Sequence, residues 1–280
     1  MTENKISLYR DAMQPVIVFH NKNERPYVDI PHLHSQYEIY YNINGASGFF
    51  ADKKLYECTG YDLFIIPAAC VHKVLVGKER EYERCIINID SKVIDAINAA
   101  PYMNRPLSWL NGPEDAAPRV AKLKPAEHEA FMAHIEAYNR SVGELERYGR
   151  LIEILAFISR YFQPGRETCG IRKQPDSVAE HALILIEENF KTIKISELSE
   201  RLFVNESYLS GLFKEEYGIT LANYLIIRKI AEAKKFLYMG VSVKEACFLS
   251  GFHDYSNFIR TFKKFEGHPP GALGKLTDPL

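Results

Sequence analysis

The chain has 280 residues, of which 46% are hydrophobic and 25% are charged, and its formal net charge is −1. This length and composition predict a folded protein of two ordinary domains and exclude a disordered chain. The sequence contains no apolar stretch typical of a signal peptide at its start and no run of 18 apolar residues, so we expect a cytoplasmic protein that does not contact a membrane. An almost neutral charge does not by itself indicate nucleic-acid binding, which would require the basic side chains to lie on one face.

Short strand-like segments fill the region from about residue 15 to residue 90. They are rich in β-branched and aromatic residues and are separated by glycine and proline, which is typical of an all-β barrel or sandwich. We predict strands at 16–20, 37–43, 48–52, 53–58, 61–67, 73–77 and 84–90. Prolines interrupt residues 92–125, where no element is predicted.

Three histidines and a glutamate form a pattern within this β-rich region. His32 and His34 are two residues apart, so both side chains point to one face if the segment is extended. With Glu38 and His72 they are similar to the motifs of cupin proteins, although residues 68–70 depart from the second motif. The resemblance implies a barrel, and in metal-binding cupins this set of residues holds Fe, Mn, Ni or Zn. We predict instead that His34, Glu38 and His72 bind a small-molecule effector, with no metal ion or other cofactor. The pocket wall, or simply the core, is expected to include Tyr40, Phe50, Phe64 and Ile66.

The pattern changes to a helical period after the prolines and predicts helices at about 126–141 and 145–163. The second helix is apolar over much of its surface, so it could pack on the barrel, on a second subunit, or on both. Residues 166–176 combine proline, glycine and charge and are the predicted linker. We therefore divide the chain into an effector-sensing domain at 1–165 and a helical domain at 177–280.

The helical domain contains an internal repeat with an offset of 49 residues. Residues 207–214 (SYLSGLFK) align with residues 256–263 (SNFIRTFK), and Phe203 aligns with Phe252. A repeat of this kind predicts two copies of one supersecondary unit, and each copy has the order of elements found in a helix-turn-helix.

In the first unit, a helix at 195–202 is followed by a turn at Phe203 and Val204. Asn205 is the predicted N-cap of the next helix, and Gly218 ends it. The 19 residues from Leu221 to Met239 then predict a helix roughly 28 Å long. Such a helix could hold the second helices of the two units about 34 Å apart, which is one turn of B-DNA.

In the second unit, Ser242 and Glu245 have the spacing of a capping box. Gly251 is the predicted turn residue, Asp254 the N-cap of the following helix, and Gly267 its end.

Polar side chains lie opposite the apolar stripe of each second helix, where they could meet DNA. Arginine suits guanine, asparagine suits adenine, and lysine suits phosphate. The predicted DNA-binding residues are Ser207, Ser210, Gly211, Lys214, Ser256, Asn257, Arg260 and Lys263. Gly211 offers no side chain, so we expect the second unit to supply more of the charge.

From about residue 178 to residue 270 the sequence resembles the C-terminal domain of the AraC/XylS family of transcription regulators. The resemblance rests on the stretches YLSGLFKEEYG, YLIIRKIAEAKKFL and GFHDYSNFIRTFKKFEGHPP. It implies seven helices, two helix-turn-helix units and DNA contacts at the eight positions above. The chain departs from the family at Gly211, usually larger and polar, and at residues 271–274, where a Tyr-Arg pair is usual.

Together these patterns predict an α+β multidomain protein, with a cupin-like β-barrel followed by helices and an all-α DNA-binding domain. The expected function is a sequence-specific transcription regulator, most often an activator in this family, which binds double-stranded DNA and contacts RNA polymerase. We expect a homodimer that responds to a sugar or other metabolite and has no catalytic residues. Two alternatives remain open: a metal-dependent cupin enzyme with an accessory helical domain, and a regulator that responds to a protein rather than to a small molecule.

Overall fold

Two antiparallel β-sheets form the N-terminal half of the chain in the computed structural model, which describes residues 15–23, 32–34, 36–51, 54–68, 70–76, 81–110, 118–162, 175 and 177–273. Strands β1, β7, β2, β5 and β8 form one sheet in that order, and β4, β3 and β6 form the other. The strands are β1 (Val16–Asn23), β2 (Tyr37–Asn44), β3 (Ala46–Ala51), β4 (Lys54–Glu57), β5 (Asp62–Ile66), β6 (His72–Val76), β7 (Tyr82–Ile89) and β8 (Arg119–Lys122).

All seven predicted strands are present, and the structure adds elements within residues 92–125, where none was predicted. Strand β8 pairs only with β5, at the edge of the larger sheet, and Pro118 comes directly before it. Helix α1 (Ser91–Asn98) begins where the Asp90 carboxylate accepts a hydrogen bond from the backbone N–H of Lys92. Prolines therefore bound these short elements rather than excluding them, because proline is tolerated at strand edges and before an element begins.

Alternation along β2 explains how the larger sheet is buried on both faces. Ile39, Tyr41 and Ile43 contact the apolar cluster formed with helices α2 (Pro125–Arg140) and α3 (Glu144–Ser159). These are the two helices predicted from the helical period. Tyr40 belongs to a different cluster, on the opposite face of β2. The larger sheet therefore separates a helix-covered core from the interior between the sheets.

The interior between the sheets is rich in aromatic rings. Phe49 stacks on Phe64 with ring centroids 4.4 Å apart, and Tyr40 lies 5.1 Å from Phe49. Tyr40, Phe64 and Ile66 belong to this interior cluster, as expected for wall or core residues. Phe50 does not, because it follows Phe49 in β3 and faces the other way, where it packs with the C-terminal helices.

The C-terminal half is entirely helical within the residues described. Its elements are α4 (Val178–Asn189), α5 (Ile195–Arg201), α6 (Glu206–Tyr217), α7 (Leu221–Tyr238), α8 (Val243–Leu249), α9 (Tyr255–Glu266) and a 3-10 turn at Pro270–Ala272. The last of the seven expected helices is thus a single turn, in a segment where proline and glycine disfavour a longer helix. The α+β fold class predicted from the sequence is confirmed. The predicted linker at 166–176 lies outside the described residues except for Pro175.

A buried polar network joins α4 to α7. The Glu187 carboxylate accepts hydrogen bonds from the Tyr224 hydroxyl at 2.8 Å and from Nε of Arg228 at 2.7 Å. The Arg228 guanidinium lies 3.9 Å from the centre of the Phe190 ring. Burial would lower the pKa of Arg228, but the facing Glu187 carboxylate raises it, so the guanidinium stays charged.

The two halves of the chain meet through the smaller sheet. Phe50, Leu55 and Leu75 lie in one apolar cluster with residues of α4, α5, α6 and α7. On β6, the ammonium group of Lys73 lies 4.1 Å from the ring centre of Tyr217, within the range of a cation–π contact. The helix-turn-helix half therefore rests directly on the β-domain. Within the described part of the chain, no helix has both the length and the apolar character needed to span a membrane.

Candidate DNA-binding face and histidine cluster

The turns of both helix-turn-helix units have the same hydrogen-bond pattern. In the first, the N–H of Phe203 donates to the Glu200 carbonyl and that of Val204 to the Ser199 carbonyl. In the second, Gly251 and Phe252 donate in the same way to Phe248 and Cys247. These are the two bonds of a Schellman motif, which ends a helix on a left-handed residue.

This pattern corrects the alignment of the two turns. Phe203 and Gly251 both have positive φ values, 55° and 88°, so Phe203 corresponds to Gly251 and not to Phe252. The structural partner of Phe252 is Val204. The offset of 49 residues holds for the second helices, whereas the turns are offset by 48, because the first unit has one residue fewer before its second helix.

We call α6 and α9, the second helix of each unit, the reader helices. Their predicted caps are confirmed. The Asn205 side chain accepts a hydrogen bond from the N–H of Tyr208 at 2.7 Å, and the Asp254 side chain accepts one from Asn257 at 2.5 Å. Both helices end on left-handed glycines, Gly218 and Gly267.

The predicted capping box of α8 is only half formed. Ser242 Oγ accepts a hydrogen bond from the N–H of Glu245 and donates its own proton to the Glu245 carboxylate. In a complete capping box, the glutamate side chain would instead accept from the backbone N–H of the cap residue.

The eight predicted DNA-binding residues occur on the outward side of α6 and α9. Seven of them are exposed to solvent, and Ser210 is half-buried. Their apolar neighbours Leu209, Phe213, Phe258 and Phe262 are fully buried. Each reader helix is thus fixed by its inner face and presents its polar face to solvent, which is the arrangement that a groove-reading helix needs.

The two reader helices differ in charge. On α9, Arg260 and Lys263 are both exposed, whereas α6 offers Lys214 together with two acidic residues at its C-terminal end. The carboxylate of one of these, Glu216, accepts a hydrogen bond from Ser177 of the α4 cap at 3.0 Å. A Cβ built on Gly211 would meet no atom of the chain within 4 Å, so this glycine leaves open space on the outward face of α6.

Gly251 also brings the second unit into close contact with the connection between α4 and α5. A Cβ at this position would lie 2.8 Å from the Cα of Lys191, in the connection after α4, so only glycine permits this approach. The carbonyl of Gly251 accepts a hydrogen bond from Lys229 of α7 at 2.9 Å. The turn of the second unit is therefore held by the α4–α5 connection as well as by the connecting helix α7.

The histidine cluster lies in the β-domain, where residues 32–34 meet β6. Reciprocal backbone hydrogen bonds of 3.1 Å and 3.0 Å join His32 to His72. The predicted residues His34, Glu38 and His72 do come together, and His32 joins them: one ligand-capable atom from each of the four lies within 4.8 Å of the others. His32 was part of the sequence pattern but was left out of the predicted effector-binding set.

Hydrogen bonds to the main chain orient two of the imidazole rings. Nδ1 of His34 lies 2.8 Å from the carbonyl oxygen of Gln36, and Nδ1 of His72 lies 3.0 Å from that of Cys70. A carbonyl oxygen can only accept, so both Nδ1 atoms carry the proton. In the neutral rings the Nε2 atoms are then left with lone pairs, and they point toward the Glu38 carboxylate at 2.8 Å and 3.7 Å.

With both rings neutral, this arrangement would set two acceptors against a third. Burial would raise the pKa of Glu38, but the imidazoles of His72 and His34, when protonated, hold it well below its usual range, so the carboxyl is ionised. A carboxylate and two imidazole lone pairs repel each other unless a positive charge lies between them, either as a proton on a ring or as a cation. The cluster can therefore attract a cation or a positively polarised donor group.

Two family models match the chain. A model described as an AraC-like ligand binding domain matches residues 15–154, which include both sheets, α2 and much of α3. A model described as a helix-turn-helix domain matches residues 198–275. The chain belongs to the AraC family of transcription regulators. It has that family's ligand-binding domain and its helix-turn-helix domain.

Among curated relatives of this AraC-family chain, the uncharacterised regulator YtdP of Bacillus subtilis is 32% identical over 100 residues. That match covers 35% of this chain and 13% of YtdP. The melibiose operon regulatory protein of Escherichia coli is 24% identical over 169 residues, covering 56% of this chain and 55% of the relative. This chain thus spans about half the length of the melibiose regulator and much less of YtdP.

Among solved structures, ToxT from Vibrio cholerae, crystallised with a bound unsaturated fatty acid, aligns over 94% of this chain and 96% of its own. The sequence identity is 14% and the TM-score is 0.41.

Proposed function

We propose that this chain is a sequence-specific DNA-binding transcription regulator, acting in the cytoplasm, whose reader helices α6 and α9 enter the major groove. The observation that carries the proposal is the pair of helix-turn-helix units with capped reader helices and outward polar faces. Arg260 would pair with a guanine and Asn257 with an adenine, while Lys214 and Lys263 would contact phosphate. Ser207, Ser210, Gly211 and Ser256 complete the proposed contact surface.

A selection of duplexes from a random library, at a stated salt concentration, tests this proposal. We expect one enriched sequence and a Kd that rises with salt. Arg260→Ala should relax the preference at one base pair and cost about 1–3 kcal/mol of binding free energy. The matched control is Arg140→Ala, which removes an exposed arginine of α2. An unchanged sequence preference in Arg260→Ala would contradict the assigned role, and failure to enrich any duplex would reject the function.

The ligand-binding domain supplies the second half of the proposal. A small effector binds at His34, Glu38 and His72 and changes DNA affinity or the contact with RNA polymerase, because it binds one arrangement of the protein more tightly than another. A sugar or another metabolite is one class of effector and an ion is another. The family membership favours regulation over catalysis, so we assign the cluster no enzymatic reaction.

A homodimer formed through α3 completes the proposal. On α3, the face that carries Leu155 is fully buried against the β-domain, so a second subunit could contact only another face of this helix. Leu145, Tyr148 and Ile152 are exposed large apolar residues that share one face of the same helix. This exposed stripe, continued by the exposed Gly149 and Ala156, is the surface we assign to the second subunit.

A further inference from the structure

The histidine cluster shares its backbone segments with the interface between the two halves of the chain. On β6, His72 contributes to the cluster, whereas the adjacent Lys73 lies over the rings of Tyr217 and Tyr224, at 4.1 Å and 5.4 Å. Both tyrosines belong to the first helix-turn-helix unit and the helix that follows it. Successive residues of one strand thus face the cluster and the DNA-binding half.

The second segment of the cluster makes a similar connection. Leu33 lies between His32 and His34, and it packs with Val71 against Ala231 of α7. A displacement of either segment would therefore change its contacts with α6 or α7. Helix α6 is the first reader helix, and α7 follows it along the chain.

We propose that the effector of this site is a divalent transition-metal ion, bound by His32, His34, Glu38 and His72, and that its binding shifts the contact between β6 and the first helix-turn-helix unit. The inference rests on the proposed DNA-binding function for its regulatory part. The metal site itself stands on the geometry of the four side chains.

The donor set suits such an ion. Imidazole nitrogens with one carboxylate favour ions such as Zn²⁺, Fe²⁺ and Ni²⁺. The Nδ1 atoms of His34 and His72 donate to main-chain carbonyls, which is how metal-bound histidines are commonly oriented. That orientation directs their Nε2 lone pairs toward the Glu38 carboxylate, where a cation would remove the repulsion between acceptors.

The size of the cluster also favours an ion over a larger molecule. The Phe49 ring stacks 5.9 Å from the ring of His72, and aromatic side chains occupy the interior beyond it. Two ligands of one ion, each at about 2.1 Å, lie at most about 4.2 Å apart. The ligand atoms now lie within 4.8 Å of one another, so a pair at that limit would have to approach by at least roughly half an ångström on binding. This contraction would draw residues 32–34 and β6 together and displace Leu33 and Lys73 at the interface.

Metal binding is tested first, on the full chain after removal of bound metals with a chelator. Co²⁺ serves as the absorption probe and Zn²⁺ as the calorimetric titrant. We expect one ion per chain, with affinity lowered at least tenfold in His72→Gln and in His34→Gln. The control His134→Gln changes a histidine of α2 outside the cluster and should bind as the wild type does. Circular dichroism identifies any variant that does not fold, and two cluster variants are used so that one folded protein suffices.

No saturable Co²⁺ or Zn²⁺ binding by the wild type would overturn the metal site. Equal affinity in the wild type and in the folded cluster variants would overturn it as well, because the ion would then bind elsewhere.

The regulatory part is tested with the duplex obtained by selection, at fixed salt, with and without Zn²⁺. We expect the Kd for DNA to change at least about fivefold in the wild type and not in His72→Gln. A metal-loaded wild type with unchanged DNA affinity would overturn the coupling. A wild type that binds Co²⁺ but no duplex in either state would reject the DNA-binding function and the role of the ion as effector, while the metal site would stand.

Discussion

Phe203 adopts a left-handed backbone conformation that an aromatic residue rarely occupies. Its φ is 55°, and its side chain is 95% exposed, so no contact within the described chain compensates for the strain. The conformation follows from the Schellman motif that ends α5, since the residue after a helix must turn left-handed for both terminal carbonyls to be bonded. The equivalent residue in the second unit is Gly251, for which the same conformation costs little.

Replacement of Phe203 by glycine should therefore stabilise the helical domain. The left-handed region costs a non-glycine residue roughly 1–2 kcal/mol, and part of the gain is lost to the greater freedom of glycine in the unfolded chain. We expect Phe203→Gly to raise the free energy of unfolding by about 1 kcal/mol, measured by urea denaturation. Phe203→Ala is the matched control, because it removes the ring but keeps the Cβ. Equal stability of the two variants would show that the backbone strain is not the cause.

At this scale the sequence predicts caps well and turn alignment less well. Asn205, Asp254, Gly218 and Gly267 were all identified from local chemistry, because a cap depends on side chains only a few residues away. The correspondence of Phe203 to Gly251 was missed, because two phenylalanines at the same offset looked equivalent. The first turn is one residue shorter than the second, and this difference becomes visible only in the backbone hydrogen bonds of the structure.

At the scale of elements, the contact between α4 and α7 depends on one buried carboxylate. Glu187 is 1% exposed, and it is the shared acceptor for Tyr224 and Arg228. Removing one partner of a buried ion pair is costly, because the other charge is left without compensation in a site that water cannot reach. Since α7 connects the two units, this network also helps to hold the first reader in position.

Glu187→Gln should lower the free energy of unfolding of the helical domain by about 3 kcal/mol, because the buried Arg228 would lose its nearer carboxylate and keep only that of Glu232, at 3.3 Å. Glu188→Gln, at the neighbouring exposed position, provides the control and should change stability by less than about 0.5 kcal/mol. Urea denaturation followed by circular dichroism measures both. Similar losses in the two variants would contradict the role assigned to the network.

Periodicity identified the long elements but not the short ones. Seven strands and the helices α2 and α3 follow from alternation and from the helical period, which reflect burial of one face. Strand β8 has four residues and α1 has eight, so neither is long enough to show a period among the surrounding prolines. Their formation depends on the edge of β5 and on the Asp90 cap.

For the whole molecule, the sequence predicted two domains but not the surface through which they meet. Phe50 was expected to be a wall or core residue of the β-domain, and Leu55 and Leu75 only to be strand residues, because alternation shows that a face is buried and not what covers it. Likewise, the pattern grouped the three histidines with Glu38 but could not show that β6 connects them to Tyr217. Such contacts join distant parts of the chain and have no local signature.

The exposed stripe of α3 carries the prediction at this scale. Leu145 is 86% exposed, and it lies on the same face as Tyr148 and Ile152, so this face remains apolar after α3 has packed on the β-domain. We expect the wild type to sediment as a dimer and Leu145→Asp to sediment as a monomer, because a carboxylate would have to be buried without a partner at the interface.

Ala133→Asp is the matched control for Leu145→Asp, since it adds the same charge at an exposed position of α2. Analytical ultracentrifugation over a range of concentrations measures all three proteins, and urea denaturation checks that both variants are folded. A monomeric wild type, or a dimer that Leu145→Asp does not weaken, would rule out this interface. If only Ala133→Asp disrupted the dimer, the interface would instead lie on α2, because the added carboxylate would be buried there.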